Sequence, residues 1–409
     1  MPAPRVPNDR PMKLEYQMRF VPLCVIFLGF ATTGFAQNVV IDPKNQTITA
    51  DMQTLLPHIV GRVQAQPLPA PLPAGALSYS HEWPAVYFEA AFEGSQIFLK
   101  FNDSSNEYRV LIDDLPSIAI AQPGASEVTI GGLSLGQHAI RLEKVTESSW
   151  IVGAFDGFYL PRGAKSFATA PKPRQIEFIG DSDMTGYGIR STTRTCTQDE
   201  VRLLSDAQIA YPALLAKALR ADYQVNAISG RGMIRNYGGG GENSISAVYA
   251  NILPDLGPDA EQTPYLDQSW QPQIIVVALG DNDFSTPLLP SEKWPSNTSL
   301  IDDFETSTKD FLTTLHHTNP NAALILVQFD GTILTDAEKQ RLTSLQISGL
   351  PQMATAIGFR SVDTVSMAAQ APERSACDYH ASKADQQRRA DWLAAYISAR
   401  PALWQGMGD

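Results

Sequence analysis

The sequence carries little positive charge for its length. Its 409 residues include 31 Lys and Arg against 43 Asp and Glu, which gives a formal net charge of −12 at pH 7. An acidic surface argues against nucleic acid and anionic lipid as partners, and it is compatible with a neutral substrate such as a sugar. There is no low-complexity block, and 44% of the residues are hydrophobic. The composition is that of an ordinary globular protein, and the length favours about two domains.

Motifs for metals, redox cofactors and nucleotide phosphates are also lacking. The four glycines at 238–241 are not followed by Lys and Ser or Thr, so they predict a flexible loop and no phosphate cradle. His316 and His317 close a predicted helix, where they suit the helix dipole better than a metal. No serine lies in a Gly-x-Ser-x-Gly elbow, which disfavours an α/β-hydrolase. We predict no cofactor and no metal site.

The apolar run at residues 20–35 is short for a membrane span, which needs about 20 residues. Lys13 and Arg19 supply positive charge before it, and small residues lie at the −3 and −1 positions of a cut before Gln37. This pattern is typical of a signal peptide over residues 1–36, with a membrane anchor as the alternative. We therefore predict a secreted or periplasmic protein, free of the membrane after cleavage.

Cleavage would leave two cysteines, Cys196 and Cys377. An even number of cysteines in an oxidising compartment predicts one disulfide between them. Two unpaired buried thiols are the alternative.

The texture of the chain changes between two halves. Residues 37–162 contain short runs rich in Val, Ile, Phe and Tyr, separated by Gly, Asp and Pro, which favours an antiparallel β-sandwich. Residues 163–175 are polar and contain proline, so they are predicted as a linker. In residues 176–409, apolar strands alternate with amphipathic helices. That alternation predicts an α/β domain with a parallel sheet covered on both faces.

Polar residues follow several of these strands where each one ends. Gly180-Asp181-Ser182 follows the first, Ser229-Gly230-Arg231-Gly232 the second, and Gly280-Asp281-Asn282-Asp283 the third; Cys377-Asp378-Tyr379-His380 precedes the final helix. Ligand sites of open parallel sheets lie at the carboxyl ends of the strands, so these residues are expected to meet.

Together they offer the groups that acyl transfer requires. Ser182 is the candidate nucleophile and His380 the general base that would take its proton. The backbone N–H groups of Ser182 and Gly230, with the side-chain amide of Asn282, are the candidate donors to the oxyanion. Gly232 is the alternative to Gly230.

The order Gly-Asp-Ser, glycine, Gly-Asp-Asn-Asp and C-terminal histidine resembles the SGNH, or GDSL-type, hydrolases, with Ser182, Gly230, Asn282 and His380 as the four hallmark residues. The stretches "IEFIGDSDMTGYG", "AYPALLAKALRADYQVNAISGRGMIRNYGG" and "CDYHAS" are similar to carbohydrate esterase family two, acetyl-ester hydrolases acting on plant polysaccharides. Members of that family carry an N-terminal jelly roll, and "NEYRVLIDD" and "GQHAIRLEKVTE" look similar to it. The resemblance implies a jelly-roll sandwich followed by a flavodoxin-like SGNH domain, over nearly all of the mature chain.

Two positions depart from the family pattern. Asp183 follows the serine, where members usually have a hydrophobic residue. The acid that relatives carry three residues before the histidine is replaced by Cys377, while Asp378 lies two residues before it. Either Asp378 orients His380 and completes a triad, or a backbone carbonyl does so and leaves a Ser-His dyad; Asp378 is our candidate.

The resemblance implies an esterase that removes O-acetyl groups from xylan or related hemicelluloses, with no obligate protein partner. Tyr379 and Asp283 are predicted as substrate contacts. A general esterase for small acyl groups is one alternative, and a carbohydrate-binding protein with a decayed esterase site is another.

Overall fold

The computed structural model describes residues 40–42, 47–148, 151–254 and 263–405. The predicted signal peptide, residues 1–36, lies outside the described residues. Two sheets of antiparallel strands form the first half of the chain, and a five-stranded parallel sheet forms the second. This is the predicted fold class: a sandwich followed by a flavodoxin-like α/β domain.

The sandwich contains thirteen strands in the part of the chain that the structure describes. They are β1 (Val40–Asp42), β2 (Gln53–Leu55), β3 (His58–Val60), β4 (Gln64–Pro67), β5 (Leu77–His81), β6 (Tyr87–Glu93), β7 (Ile97–Asp103), β8 (Glu107–Ile112), β9 (Ile118–Ala121), β10 (Gly124–Gly131), β11 (Gln137–Lys144), β12 (Gly153–Leu160) and β13 (Lys165–Phe167). One sheet has the order β1-β10-β7-β12-β5-β4, with β2 paired to β12. The other has the order β13-β6-β11-β8-β9, with β3 paired to β6.

Alternation along these strands builds the sandwich core. In β6 and β8 every second residue is buried, so one face of each strand points between the sheets. Aromatic rings meet there: the centroids of Phe88 and Phe155 lie 4.9 Å apart, and those of Phe101 and Phe155 lie 5.4 Å apart.

The predicted linker is more ordered than its composition suggests. Strand β13 lies within residues 163–175 and pairs antiparallel with β6. Farther along, Lys172 donates from both its backbone N–H and its ammonium to the carboxylate of Asp222, each at 2.8 Å. Residues 163–175, predicted as a linker, are therefore held by a neighbouring sheet edge and by a buried carboxylate.

The second half forms the parallel sheet. Its strands are β14 (Gln175–Gly180), β15 (Asp222–Ala227), β16 (Ile274–Val277), β17 (Ala323–Val327) and β18 (Val362–Val365), in the order β15-β14-β16-β17-β18. They lie in the half of the chain for which a parallel sheet is predicted. All four residues of β16 and all six of β15 are buried, as expected where helices cover both faces.

Helices cover this sheet. They are α1 (Ser182–Thr185), α2 (Gln198–Leu204), α3 (Tyr211–Ala218), α4 (Ile245–Val248), α5 (Asn297–Thr318), α6 (Asp336–Ser344), α7 (Leu350–Ile357) and α8 (Lys383–Ser398). Ser296 caps helix α5, and Ser299 completes the capping box. Among the described residues, no helix is both long and apolar enough to cross a bilayer.

Two arginines of the sandwich, one buried and one half-buried, join it to the parallel sheet. Arg62 pairs with Glu177 of β14 at 3.2 Å, and its guanidinium lies 4.3 Å from the ring centroid of Tyr249. Arg141 lies 3.5 Å from the ring centroid of Tyr87 and donates to the hydroxyl of Tyr223 on β15 at 2.8 Å. Cation–π contacts and ion pairs of this kind gain strength when they are desolvated. The sandwich therefore has a fixed position beside β14 and β15.

Candidate active site

Ser182 lies at the end of β14, as the first residue of the short helix α1. The turn depends on Gly180, since a Cβ there would lie 2.5 Å from the Met184 sulfur and 3.1 Å from the Ala278 carbonyl oxygen. Asp181 caps α1 by accepting the N–H of Asp183 at 3.2 Å. The strand thus ends in a tight turn that leaves Ser182 only half-buried.

His380 meets Ser182 from the loop before α8. Its Nε2 lies 2.9 Å from Ser182 Oγ, and its Nδ1 lies 2.9 Å from the carbonyl oxygen of Cys377. A carbonyl oxygen can only accept, so Nδ1 carries the hydrogen and Nε2 is free to accept from the serine hydroxyl. The Tyr187 ring stacks on the imidazole, with centroids 4.2 Å apart. Nucleophile and base are therefore in hydrogen-bond contact, with the imidazole held from two sides.

The structure does not place Asp378 on His380. Residues 378 and 379 both have positive φ, 50° and 63°, so the turn directs the Asp378 side chain away from the imidazole. Its carboxylate instead accepts the hydroxyl of Tyr187 at 2.9 Å. The expected position of the orienting acid is wrong, and the carbonyl of Cys377 makes the contact in its place.

The loop that carries Cys196 is bonded to the loop that carries His380. Cys196 and Cys377 form a disulfide with 5.5 Å between their Cα atoms. Arg194 donates to the carbonyl oxygens of residues 373 and 374 at 2.9 and 2.8 Å, and its own carbonyl accepts the N–H of Asp378 at 2.8 Å. Gly188 packs against the bridge, where a Cβ would lie 2.4 Å from Cys377 Cβ.

The carboxylate of Asp385 holds the other end of this loop. It accepts the N–H groups of Glu373, Arg374 and Ser382 at 3.2, 2.8 and 3.0 Å, and it also pairs with Arg388. Burial alone would raise the pKa of Asp385, but these donors outweigh it and lower the pKa from 3.8 to about 2. The residues before His380 are therefore tied to the start of α8.

The candidate oxyanion donors lie beside Ser182. Gly230 has a φ of +77°, and no acceptor among the described residues takes its N–H. Gly232 donates its N–H to the Asn236 side chain at 3.4 Å, which leaves Gly230 as the better donor of the two. The amide nitrogen of Asn282 donates to Asp181 Oδ2 at 3.1 Å and to the carbonyl of Arg231 at 3.0 Å. Those contacts hold the amide of Asn282 near the nucleophile turn and use both of its hydrogens, so one of the two bonds must break before the amide can donate to an oxyanion.

Asp283 does not lie where a substrate could reach it. Its side chain is fully buried and accepts the backbone N–H groups of Met233, Ile234 and Arg235 at 2.8, 2.8 and 2.9 Å. Burial raises its pKa to about 6, against the lowering effect of these donors. The expectation of a substrate contact is wrong: Asp283 shapes the loop after Gly230, because a buried carboxylate satisfies three N–H groups at once.

Asp183, the departure from the family pattern, has a partner in α8. Its carboxylate pairs with the buried Arg389 at 2.9 Å. Burial would raise the pKa of Asp183, but Arg389, followed by His380 and Arg374, lowers it below the ordinary value. The carboxylate therefore stays ionised close to the base.

The neighbouring carboxyl groups respond in the opposite direction. Burial, reinforced by the charges of Asp183 and Asp281, raises the pKa of Asp181 well above its usual range. Burial, with the charge of Asp183, raises the pKa of Asp281 to about 6. Of these three acids beside the nucleophile, Asp183 is the one that the structure compensates with a close cation.

A cleft of about 200 Å³ opens at the carboxyl ends of the central strands. Its lining includes four aspartates and two arginines: Asp181, Asp183, Asp281, Asp330, Arg374 and Arg389. It includes neither Ser182 nor His380. This is the edge of the sheet where ligands of open α/β folds bind.

Tyr379 lies on the rim of the site, next to His380. Its side chain is 64% exposed, and the Arg194 guanidinium lies 4.8 Å from its ring centroid. Tyr237, after Gly230, is equally exposed and was not anticipated. Tyr187 and Arg389 were also missed, since neither lies in a pattern that predicts a contact with the nucleophile or its neighbour.

Comparison with known proteins agrees with this arrangement. The family model for the N-terminal domain of carbohydrate esterase 2 matches residues 73–171, and the model for GDSL-like lipases and acylhydrolases matches residues 176–393. An acetylxylan esterase/glucomannan deacetylase of Cellvibrio japonicus (strain Ueda107) is 38% identical over 359 residues, which cover 87% of this chain and 94% of that protein.

Solved structures give the same result. A carbohydrate esterase whose active site displays divergent catalytic and non-catalytic binding functions superposes with a TM-score of 0.75 at 35% identity, covering 86% of this chain and 100% of that one. A family two carbohydrate esterase from Clostridium thermocellum in complex with cellohexaose gives a TM-score of 0.66 at 26% identity, covering 85% of this chain and 100% of that one. With the sandwich, the parallel sheet and both family models in the expected order, the chain belongs to carbohydrate esterase family two and is a serine carboxylic-ester hydrolase.

Proposed function

We propose that this esterase removes O-acetyl groups from hemicellulose such as xylan or glucomannan, through an acyl-enzyme on Ser182. The contact that carries the mechanism is the 2.9 Å distance between Ser182 Oγ and His380 Nε2. The substrate class draws support from the relative with 38% identity, which is an acetylxylan esterase/glucomannan deacetylase. A net charge of −12 suits a neutral polysaccharide better than an anionic one.

In the first half-reaction, Ser182 Oγ attacks the acetyl carbonyl carbon as its proton passes to His380 Nε2. The carbonyl oxygen becomes an oxyanion that the N–H groups of Ser182 and Gly230 and the amide of Asn282 stabilise. His380 then gives its proton to the departing sugar oxygen, and the acetyl group remains on Ser182. The carbonyl of Cys377 holds the imidazole in the required tautomer, so the site works as a dyad.

In the second half-reaction, water attacks the acetyl-enzyme. His380 takes one proton from the water and returns it to Ser182 Oγ as acetate leaves. The bond between acetyl carbon and Ser182 Oγ breaks, and the bond to the water oxygen replaces it. Every group in this sequence belongs to the protein or the substrate.

The protein is proposed to act outside the cytoplasm, in the periplasm or beyond the cell. The disulfide between Cys196 and Cys377 supports this location, because such bonds persist in oxidising compartments. The charge pattern of residues 1–36 supports export by a signal peptide. We propose acetylated polysaccharide or oligosaccharide as its partner, with no obligate protein partner.

The test is acetate release from acetylated xylan and acetylated glucomannan, with Ser182→Ala beside the wild type. We expect release by the wild type and its loss in the variant. Turnover of p-nitrophenyl acetate without release from either polymer would instead indicate a general esterase for small acyl groups. Binding of either polymer without any turnover would indicate a glycan-binding protein, and both outcomes would refute the hemicellulose assignment.

A further inference from the structure

We propose that Glu147, a residue of the sandwich, is a positioning residue for the oxyanion hole of the hydrolase domain. Both of its carboxylate oxygens bind Ser229: Oε1 accepts the backbone N–H at 2.6 Å and Oε2 accepts the hydroxyl at 2.5 Å. Hydrogen bonds to an ionised acceptor are short and roughly twice as strong as neutral ones. The sandwich therefore holds the residue directly before Gly230. This role rests on the proposed function, in which the N–H of Gly230 is an oxyanion donor.

The same contact reaches the other backbone donor. Ser229 Oγ lies 2.9 Å from Thr185 Oγ1, and Thr185 Oγ1 in turn donates to the carbonyl of Ser182 at 3.2 Å. Because Ser229 gives its hydrogen to Glu147, the single hydroxyl hydrogen of Thr185 is shared between Ser229 and Ser182. One polar chain thus runs from Glu147 to the turn that carries the nucleophile.

Gly230 needs an anchor from outside its own loop. At φ +77° it adopts a conformation that glycine enters freely, and a Cβ added there would meet nothing within 4 Å. Within its own loop, the carbonyl of Gly230 accepts the N–H of Tyr237 at 2.8 Å, but the peptide plane that carries the Gly230 N–H begins at Ser229. Oxyanion donors act only when they are aimed in advance at the developing charge, so a fixed Ser229 is the condition for a well-aimed Gly230.

Glu147 extends from a rigid part of the sandwich, directly after β11. On its two sides, the buried hydroxyls of Thr146 and Ser148 both donate to the Asn106 side chain, at 3.2 and 3.3 Å. Val145 donates its N–H to the carbonyl of Glu107 at 2.8 Å. Because these hydrogen bonds hold the chain on both sides of Glu147, its carboxylate can hold Ser229 in one position, as residues that support a catalytic group must.

A matched control distinguishes positioning from simple docking of the two halves. Glu107, also in the sandwich, forms a two-pronged ion pair with Arg190 of the hydrolase domain, at 2.9 Å for each contact. Like Glu147, it bridges the same two parts of the chain with both carboxylate oxygens, but its partner is a cation and not Ser229. A Glu107→Ala variant therefore loses a bridge between the two halves without touching the oxyanion donors.

The experiment measures kcat and KM for p-nitrophenyl acetate, with thermal melting, in Glu147→Ala, Glu147→Gln and Glu107→Ala. Complete removal of one oxyanion donor costs about 10²–10³-fold in kcat, and a donor that is only misaligned should cost less. We expect Glu147→Ala to lose about 10–100-fold in kcat with KM within about twofold of the wild-type value. Glu147→Gln should recover part of the loss, since its amide oxygen can still accept the Ser229 N–H. Glu107→Ala should keep kcat within about twofold.

A second variant covers the case in which Glu147→Ala fails to fold. Ser229→Ala removes the hydroxyl contact and keeps the backbone one, so its kcat should fall several-fold. Added to Glu147→Gln it should cost less than it does in the wild type, because the two groups act through one contact.

The proposal is overturned if Glu147→Ala keeps wild-type kcat, if Glu107→Ala loses as much, or if KM alone rises. Ser182→Ala, run in parallel, reports on the proposed function separately: turnover that survives in this variant refutes the serine mechanism itself. Loss in Ser182→Ala with full activity in Glu147→Ala refutes only the role of Glu147.

Discussion

Replacing Asp378 by Asn tests whether the hydrolase works as a dyad. Asn tolerates the left-handed backbone that residue 378 adopts at φ +50°, so the loop should keep its shape. The substitution removes the negative charge and keeps an acceptor for the hydroxyl of Tyr187, which Asp378 contacts at 2.9 Å. His380 keeps its own contact with the carbonyl of Cys377.

The expected size of the effect follows from these contacts. Loss of the orienting acid from a serine triad costs about 10⁴-fold in kcat, or about 5 kcal/mol of transition-state stabilisation. Asp378 is exposed, and its hydrogen bond to Tyr187 is worth about 0.5–1.5 kcal/mol at most. This hydrogen bond acts on His380 through the stacked ring of Tyr187. If its whole free energy were lost from transition-state stabilisation, kcat would fall by no more than about tenfold.

The assay measures kcat and kcat/KM for p-nitrophenyl acetate from about pH 5 to about pH 9. Wild type gives the upper limit of activity and Ser182→Ala the lower limit. Tyr187→Phe is the matched control, because it breaks the same hydrogen bond from the other side and leaves the stacked ring in place. Both variants should stay within about tenfold of wild type. A loss of about 10³-fold or more in Asp378→Asn, with Tyr187→Phe little affected, would show that the carboxylate orients His380 after all.

Three further predictions concern the loop and rim around the histidine. Asp385→Asn should lower the free energy of unfolding at neutral pH by about 2 kcal/mol, because a carboxyl pKa lowered to about 2 adds stability above pH 3.8 that is lost as the pH falls towards 2. In urea unfolding, the difference between variant and wild type should shrink as the pH falls, and a constant difference would contradict this prediction. Replacing Cys196 and Cys377 together by Ala should lower the free energy of unfolding by about 2–5 kcal/mol, because the disulfide closes a loop with a sequence separation of 181. It should also lower kcat, because the backbone carbonyl of residue 377, which orients the base, is then held less firmly. Unchanged melting temperature and turnover would refute this prediction. Tyr379→Ala should raise KM for acetylated xylan and leave KM for p-nitrophenyl acetate unchanged, because a 64% exposed ring can stack on a sugar but lies outside the acyl site; equal effects on both substrates would exclude a glycan contact.

The order of motifs was sufficient to bring the main catalytic groups together. Ser182, Gly230, Asn282 and His380 each follow or precede a regular element, and parallel strands place their carboxyl ends on one edge. Residues at the ends of neighbouring parallel strands therefore lie near one another, and the periodicity of the sequence was enough to predict that the strands are parallel.

Directions of side chains were harder to foresee. Asp378 and Asp283 were both identified by their place in a motif, yet one points to Tyr187 and the other into the loop after Gly230. The first depends on positive φ at two consecutive residues that are not glycine, which no sequence pattern announces. The second depends on three backbone N–H groups that Asp283 accepts, in a loop whose shape the sequence does not reveal.

Partners from distant parts of the chain were also out of reach. Arg389, which pairs with Asp183, lies in the final α-helix, and Glu147, which binds Ser229, lies in another domain. Charged residues such as these are common on exposed helices and loops, so their sequence context is typical of solvated side chains. Only the packed fold shows that each contacts a residue beside a catalytic group.

The arginines between the two halves have a consequence for engineering. Arg62 and Arg141 neutralise and cover polar residues of β14 and β15 that a free-standing hydrolase would have to hydrate or replace, among them Glu177, which is 1% exposed. A buried charge that loses its partner costs about 3–5 kcal/mol, a large part of the stability of most domains. The hydrolase half is therefore not a portable module: a variant that lacks the sandwich must also replace the polar residues that the two arginines cover.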